Sequence, residues 1–342
     1  MKRKRRNSLK SSCSQQQIVA SSSIQTRSKT KRRLAEIVFY LPNDCWESVF
    51  KSVISNKYDD YNNRRNLKSL SVVSKQFLSI TNHLLFSLKI IDQTRPFLPR
   101  LYRRFTNLTS LKLTCPVTDL DILLRQISHF PLNLTSVVLS LKHTFPANGL
   151  HANWLRGFSR KITTLTSLVF STTSCLHSSV LFLIAYCFPN LQVLDLGGVH
   201  QIFDKGIVHV LRTCCNITHL NLTGCFGVSQ LLGGMNFEVP KLKYLNLANT
   251  LVDDETLHMV SKNCLGLLQL GLSYCHYVTE KGVRHVVENC KQLTYLWCSR
   301  GVNIHVLLSM VPSRPSLREI NGRRLSYYLV ADKGNSCWVT NA

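Results

Sequence analysis

The sequence predicts an α/β chain: a small all-α module followed by a curved solenoid of stacked strand-and-helix units, with a parallel β-sheet on the concave face. Three observations carry that reading. The pattern Leu-x-x-Leu-x-Leu, or a near variant, returns about every 26 residues, from Leu108/Leu111/Leu113 to a degenerate Leu317/Ile320/Gly322. Helical stretches at 204–212, 253–262 and 280–288 lie between successive copies, with acids near their starts where a helix dipole favours them. Ahead of the first copy, residues 36–90 carry apolar stripes at i, i+3 and i+4 spacing, the period of short helices.

Taken in order, residues 1–35 form a basic tail expected to be disordered. Eleven Lys or Arg and no acid fall in the first 33 residues, within a net charge of +24 for the 342-residue chain. The other 31 bases and 18 acids leave +13 on the remainder. The clusters at 2–6 and 29–33 fit a nuclear-import signal, a phosphate-binding arm or a merely solvated tail. No folded or aromatic element accompanies them, so nucleic-acid recognition is not expected. The longest apolar run, 180–188, is too short to span a bilayer, and no membrane association is expected.

Residues 36–90 form the helical module. Leu41-Pro42 precedes Trp46, Val49, Phe50 and Val53; after a polar stretch at 56–66 a second stripe runs through Leu67, Leu70, Val73, Phe77 and Ile80. About 50 residues of short helices make a marginal core, which a partner or docking on the repeats would steady.

The solenoid is assigned to 91–325 and a C-terminal tail to 326–342. Strand side chains alternate, so the repeating leucines point inward and the residues between them outward. The outward series begins with Ser110 and Lys112 and ends with His219 and Asn221, Tyr244 and Asn246, Gln269 and Gly271, then Tyr295 and Trp297. Aromatic side chains often dominate binding energy, which makes His219, Tyr244, Tyr295 and Trp297 the candidate recognition residues. Phe226, Tyr274 and Tyr277 adjoin them on loops. The competing reading packs these aromatics on one another or beneath the C-terminal tail. Cys214, Cys264 and Cys290 sit three residues before a strand's first apolar position, and Cys225 and Cys275 three after its last, as buried thiols filling repeat positions would. No metal-binding spacing, phosphate loop or dinucleotide motif is present, so no cofactor and no catalytic residue are expected.

Two resemblances add to this. The 191–298 segment resembles the cysteine-containing class of leucine-rich repeats, through its strands, flanking cysteines and segments such as Val278-Thr279-Glu280-Lys281-Gly282-Val283. The 41–78 segment resembles an F-box: Leu41-Pro42-Asn43-Asp44 fits the opening, Val49-Phe50 with Val53 the first helix, and Leu67-x-x-Leu70-x-x-Val73-Ser74-Lys75-x-Phe77 the close. The thirteen residues between Val53 and Leu67 exceed the usual connection. Both motifs in this order resemble plant-type F-box/leucine-rich-repeat proteins, non-catalytic substrate receptors of SCF-type cullin ubiquitin ligases. The resemblance implies a Skp-family adaptor bound through Leu41, Pro42, Val49, Phe50, Val73 and Phe77, or those residues as the module's own core. It also implies a cullin reached through that adaptor, a protein substrate on the repeats, and a place in the nucleus or cytoplasm. A scaffold whose F-box no longer recruits a ligase is the alternative.

Overall fold

In the computed structural model the described residues are 41–54, 60–142, 153–171, 176, 178–229, 235–298, 302, 316–321, 323–324, 327–332 and 335–340. The chain divides into two compact units, Met1–Pro42 and Asn43–Ala342. The basic tail lies outside the described residues.

The second unit begins with three short helices: α1 (Asn43–Val53), α2 (Asp60–Ser71) and α3 (Lys75–His83). Their core is small and their own. Phe50, Leu67, Ile80 and Leu84 are buried, with Trp46, Ile54, Leu70, Phe77 and Leu85 packed around them. Phe77 holds the centre, with its ring 4.7 Å from that of Trp46 and 4.8 Å from that of Phe50. The second apolar stripe is not one helix. Ser74 caps α3 by accepting a hydrogen bond from the Phe77 amide, so Val73 falls in the turn between α2 and α3. The polar stretch before Leu67 is also shorter than its composition implies, because α2 starts at Asp60.

The solenoid follows without a break. Eleven strands join one sheet in sequence order: β1 (Ser87–Ile90), β2 (Ser110–Pro116), β3 (Ser136–Lys142), β4 (Ser167–Ser171), β5 (Val193–Asp195), β6 (His219–Asn221), β7 (Tyr244–Asn246), β8 (Gln269–Leu272), β9 (Tyr295–Cys298), β10 (Glu319–Ile320) and β11 (Arg323–Arg324). Strands β1 to β10 are parallel, and β11 reverses against β10. The sheet therefore starts one unit earlier than the leucine pattern indicates. Ser87–Ile90, given to the helical module on sequence grounds, is its first strand.

Register follows from the pattern. Leu111, Val137, Leu168, Leu194, Leu220, Leu245, Leu270 and Leu296 lie side by side across β2 to β9, and all are buried. Helices α4 (Leu98–Arg104), α5 (Leu120–Ile127), α6 (Asn153–Ser159), α7 (Ser178–Cys187), α8 (Asp204–Thr213), α9 (Asp254–Asn263) and α10 (Glu280–Asn289) cover one face of the sheet. Their apolar sides, Leu123 and Leu124 or Val283 and Val286, belong to the same continuous core as the strand leucines. Backbone bonds tie each unit to the next. The Phe86 carbonyl accepts from the amides of Thr109 and Ser110, that of Thr109 from Thr135 and Ser136, and the series runs unbroken to Thr294 with Arg318 and Glu319. The helical module is joined to the first solenoid repeat by Arg104 donating to Asn82 (2.9 Å) and Asn107 donating to the His83 carbonyl (3.1 Å). The C-terminal stretch read as a tail contains an antiparallel pair, β12 (Tyr327–Asp332) with β13 (Asn335–Thr340).

The repeat cysteines are reduced thiols, buried and oriented across units. The Cys225 thiol donates to the Leu196 carbonyl at 3.3 Å, Cys275 to Leu247 at 3.0 Å, and Cys290 to Cys264 at 3.6 Å. Burial pushes the thiols of Cys225, Cys264, Cys290 and Cys298 up to about 12. Thiolate is the reactive form, so alkylation of the native chain at pH 8 should modify the exposed Cys45 and Cys215 and spare these four until denaturant is added. Peptide mapping after timed labelling checks this; fast modification of Cys264 would contradict the packing.

Candidate recognition surfaces

The helix-free face of the sheet carries two rows of side chains, since every second strand residue points away from the core. One row reads Val193, His219, Tyr244, Gln269 and Tyr295 across β5 to β9. The other reads Asp195, Asn221, Asn246, Gly271 and Trp297. All four aromatic candidates thus lie on one face, His219 on β6, Tyr244 on β7, and Tyr295 and Trp297 on β9. They form two stacked pairs: His219 on Tyr244 with ring centres 5.8 Å apart, and Tyr295 on Trp297 at 6.0 Å with planes within 9°. Each ring touches its neighbour, yet Tyr244, Tyr295 and Trp297 stay half-exposed and His219 exposed. Desolvation, then the charge of Lys243, holds the His219 pKa below its ordinary value.

The second row is engaged differently, in a way that spacing alone does not reveal. Asp195 Oδ1 accepts from the Gly197 amide and from Asn221 Nδ2, both at 2.9 Å. Asn221 Oδ1 accepts from the Thr223 amide and hydroxyl at 3.1 and 2.7 Å, and Asn246 Oδ1 from the Ala248 amide at 3.0 Å. These side chains fasten the turn that follows each strand, a use of Asp and Asn for which two-residue reach suffices. Trp297 ends this second row beside Tyr295 of the first, and its ring stacks on Tyr295.

Those turns place one residue per unit in the left-handed backbone region. Gly198 (φ +80°), Gly224 (φ +71°) and Asn249 (φ +55°) occupy it without difficulty, but the next unit has Tyr274 at φ +60°. A bulky residue there is strained, and the Tyr274 ring does not compensate by burial, being 67% exposed. Tyr277 and Phe226 are exposed on the same series of loops, Phe226 stacking on His200 with ring centres 5.0 Å apart. Tyr274→Gly should raise unfolding stability by about 1 kcal/mol, read as a shifted urea midpoint. An unchanged or lower midpoint would show the ring to be held by contacts that offset the strain.

The adaptor candidates separate by face of the module. Phe50 is 1% exposed and belongs to its core, and Phe77 is half-buried between Trp46 and Phe50. Val49 (45% exposed) and Val53 point outward from α1, while Val73 (64%) and Val72 project from the α2–α3 turn. Leu41 and Pro42, at the end of the first unit, are exposed. Among the described residues no group of three or more His, Cys, Asp or Glu could hold a metal, and no helix is long and apolar enough to cross a membrane. Of the acidic pair at the start of α9, Asp253 caps the helix by accepting from the Thr256 amide at 2.9 Å, and Asp254 ties it to the next repeat by accepting from the Thr279 amide at 2.8 Å.

No protein-family model matches the chain. Among curated proteins it is 29% identical over 134 residues to antagonist of mitotic exit network protein 1 of Candida glabrata, covering 37% of this chain and 25% of that protein. It is likewise 29% identical over 134 residues to DNA repair protein rhp7 of Schizosaccharomyces pombe, covering 38% of this chain and 24% of that protein. The chain thus spans about a quarter of the length of the curated relatives it matches. Among solved structures it resembles a chain in the crystal structure of the yeast Rad7 and Elc1 complex, with TM-score 0.50 and 15% identity over 83% of this chain and 89% of that one. At that identity the likeness is one of architecture: this chain shares the leucine-rich-repeat solenoid fold.

Proposed function

We propose that this chain is a non-catalytic substrate receptor of a cullin-type ubiquitin ligase. Its helical module binds a Skp-family adaptor, and its solenoid holds the protein to be modified. The observation that carries the reading is the division of labour inside one unit: a module with a separate small core and outward valines, fused to an open sheet face bearing paired aromatics. Apolar side chains left outside a core that small mark a docking face. A solenoid offers an extended surface for a protein partner, and the ligase would supply catalysis through other subunits while this chain supplies proximity. The solved structure that shares the fold contains Rad7 with Elc1, which supports an adaptor-bound role here. The SCF type, the cysteine-containing repeat class, the plant type and a nuclear or cytoplasmic site belong to the same proposal. The thiols buried at repeat positions favour that repeat class.

Capture of a recombinant Skp-family adaptor by the intact chain tests it. Leu41→Ala/Pro42→Ala should weaken capture at least tenfold. Absence of capture by the intact chain would favour the non-ligase scaffold, with the helical module serving to cap the first unit.

A further inference from the structure

The open face is electrically lopsided. Lys89 on β1 and Lys112 on β2 are direct cross-strand partners, both exposed on the same face. Like charges placed directly opposite oppose sheet formation, and among the described residues no acid shares their row on β1 to β3. The next strand offers Val138 at that register, and the row beside it is Ser87, Ser110, Ser136 and Ser167. Arg64 brings a third cation to this end, donating to Ser87 Oγ at 3.4 Å. Residues 61–118 contain ten Lys or Arg and the single acid Asp92. Asp92 and the following Asp119 both lie against Arg95, at 4.0 and 2.6 Å. Across β5 to β9 the outward residues are aromatic or uncharged apart from Asp195, and beyond them Glu319 is the register partner of Arg324.

Resting on the substrate-receptor reading, we propose that Lys89 and Lys112 seat an acidic stretch of an extended target segment. The same segment reaches the aromatic pair Tyr295 and Trp297 with its apolar part. Strands ~4.8 Å apart put these two ends about 35 Å from one another along the sheet, which an extended chain covers in roughly 10 residues. The target class is therefore a protein segment with an Asp/Glu cluster about ten residues from an aromatic or aliphatic anchor. Nucleic acid fits less well, because the outward aromatic candidates begin at His219 on β6, four strand steps from Lys112, whereas single-strand binding sets cations alongside stacking rings.

The test uses the full chain and a fluorescent peptide of six consecutive glutamates, read by anisotropy at low and physiological salt, with a hexaglutamine peptide and an oligothymidylate beside it. Lys89→Glu/Lys112→Glu should weaken the glutamate peptide at least tenfold, and Lys89→Ala/Lys112→Ala should do so to a lesser degree. Serine at positions 2–6 should change it less than twofold. Linking the glutamates through ten Gly/Ser residues to a Trp-Leu anchor should tighten binding tenfold or more, and Tyr295→Ala/Trp297→Ala should abolish that gain. Binding lost with the tail and indifferent to both lysines overturns the proposal. So does oligothymidylate that binds more tightly through the same lysines. Lysine-dependent binding with no gain from any anchor leaves the acidic seat standing and overturns the aromatic substrate surface beneath it.

Discussion

Replacing Val49 and Val73 together with glutamate should reduce adaptor capture by 100-fold or more while leaving the solenoid folded. Both valines lie outside the core formed by Phe50, Leu67, Ile80 and Leu84, so a charge at either position remains in water in the free chain. In a complex that covers them, each carboxylate would be desolvated without a partner. A penalty of about 1.5 kcal/mol or more at each position reaches 100-fold when the two add. Phe50→Ala is the informative contrast. It removes a ring that Phe77 and Trp46 pack against and should destabilise the module by about 3–5 kcal/mol. Loss of capture there would come with loss of helix in circular dichroism, whereas the valine variant should keep its spectrum. Full capture by the valine variant would remove the proposed docking face.

Leu220→Ala should split the unfolding of the solenoid into two transitions. Leu220 is fully buried at the middle of the leucine ladder, between Leu194 and Leu245. Truncating a buried leucine costs about 2–5 kcal/mol, because the space collapses only in part. In a stack whose units touch mainly their neighbours, that cost is local: it weakens the coupling of the units before β6 to those after it. Urea denaturation followed by hydrogen exchange should show β7 to β9 losing protection at a lower denaturant concentration than β2 to β4, or the reverse. A single shifted transition for both halves would mean that the core behaves as one cooperative body.

The solenoid was legible because the inward positions obey spacing alone: Leu111, Leu194, Leu220 and Leu270 fall where the pattern puts them. The helices at 204–212, 253–262 and 280–288 lie within a residue of α8, α9 and α10, whose starts carry Asp204, the capping Asp253 and Glu280. What escaped depends on geometry rather than periodicity. Strand β1 has the right spacing in Leu85, Leu88 and Ile90, but it follows α3 after three residues, and the apolar stripe of that helix masks it. Missing β1 hid Lys89, and with it the paired cations. Phe50 and Val49 are sequence neighbours on opposite sides of α1; Trp46, Phe50 and Ile54 share the inward stripe at four-residue steps, which separates them from Val49 and Val53. The employment of Asp195 and Asn221 in turns was invisible because it rests on where the next amide points.

The reversal of the last strand has a consequence for the life of this molecule at high concentration. Ten parallel strands in register form a template on which a further parallel unit, from any copy of the chain, could add indefinitely. Strand β11 runs the other way, pairing Glu319 with Arg324 and Ile320 with Arg323, so a first strand such as β1, arriving in the same sense as its own sheet, would have to pair antiparallel there. The uninterrupted parallel ladder stops at a change of direction two residues long.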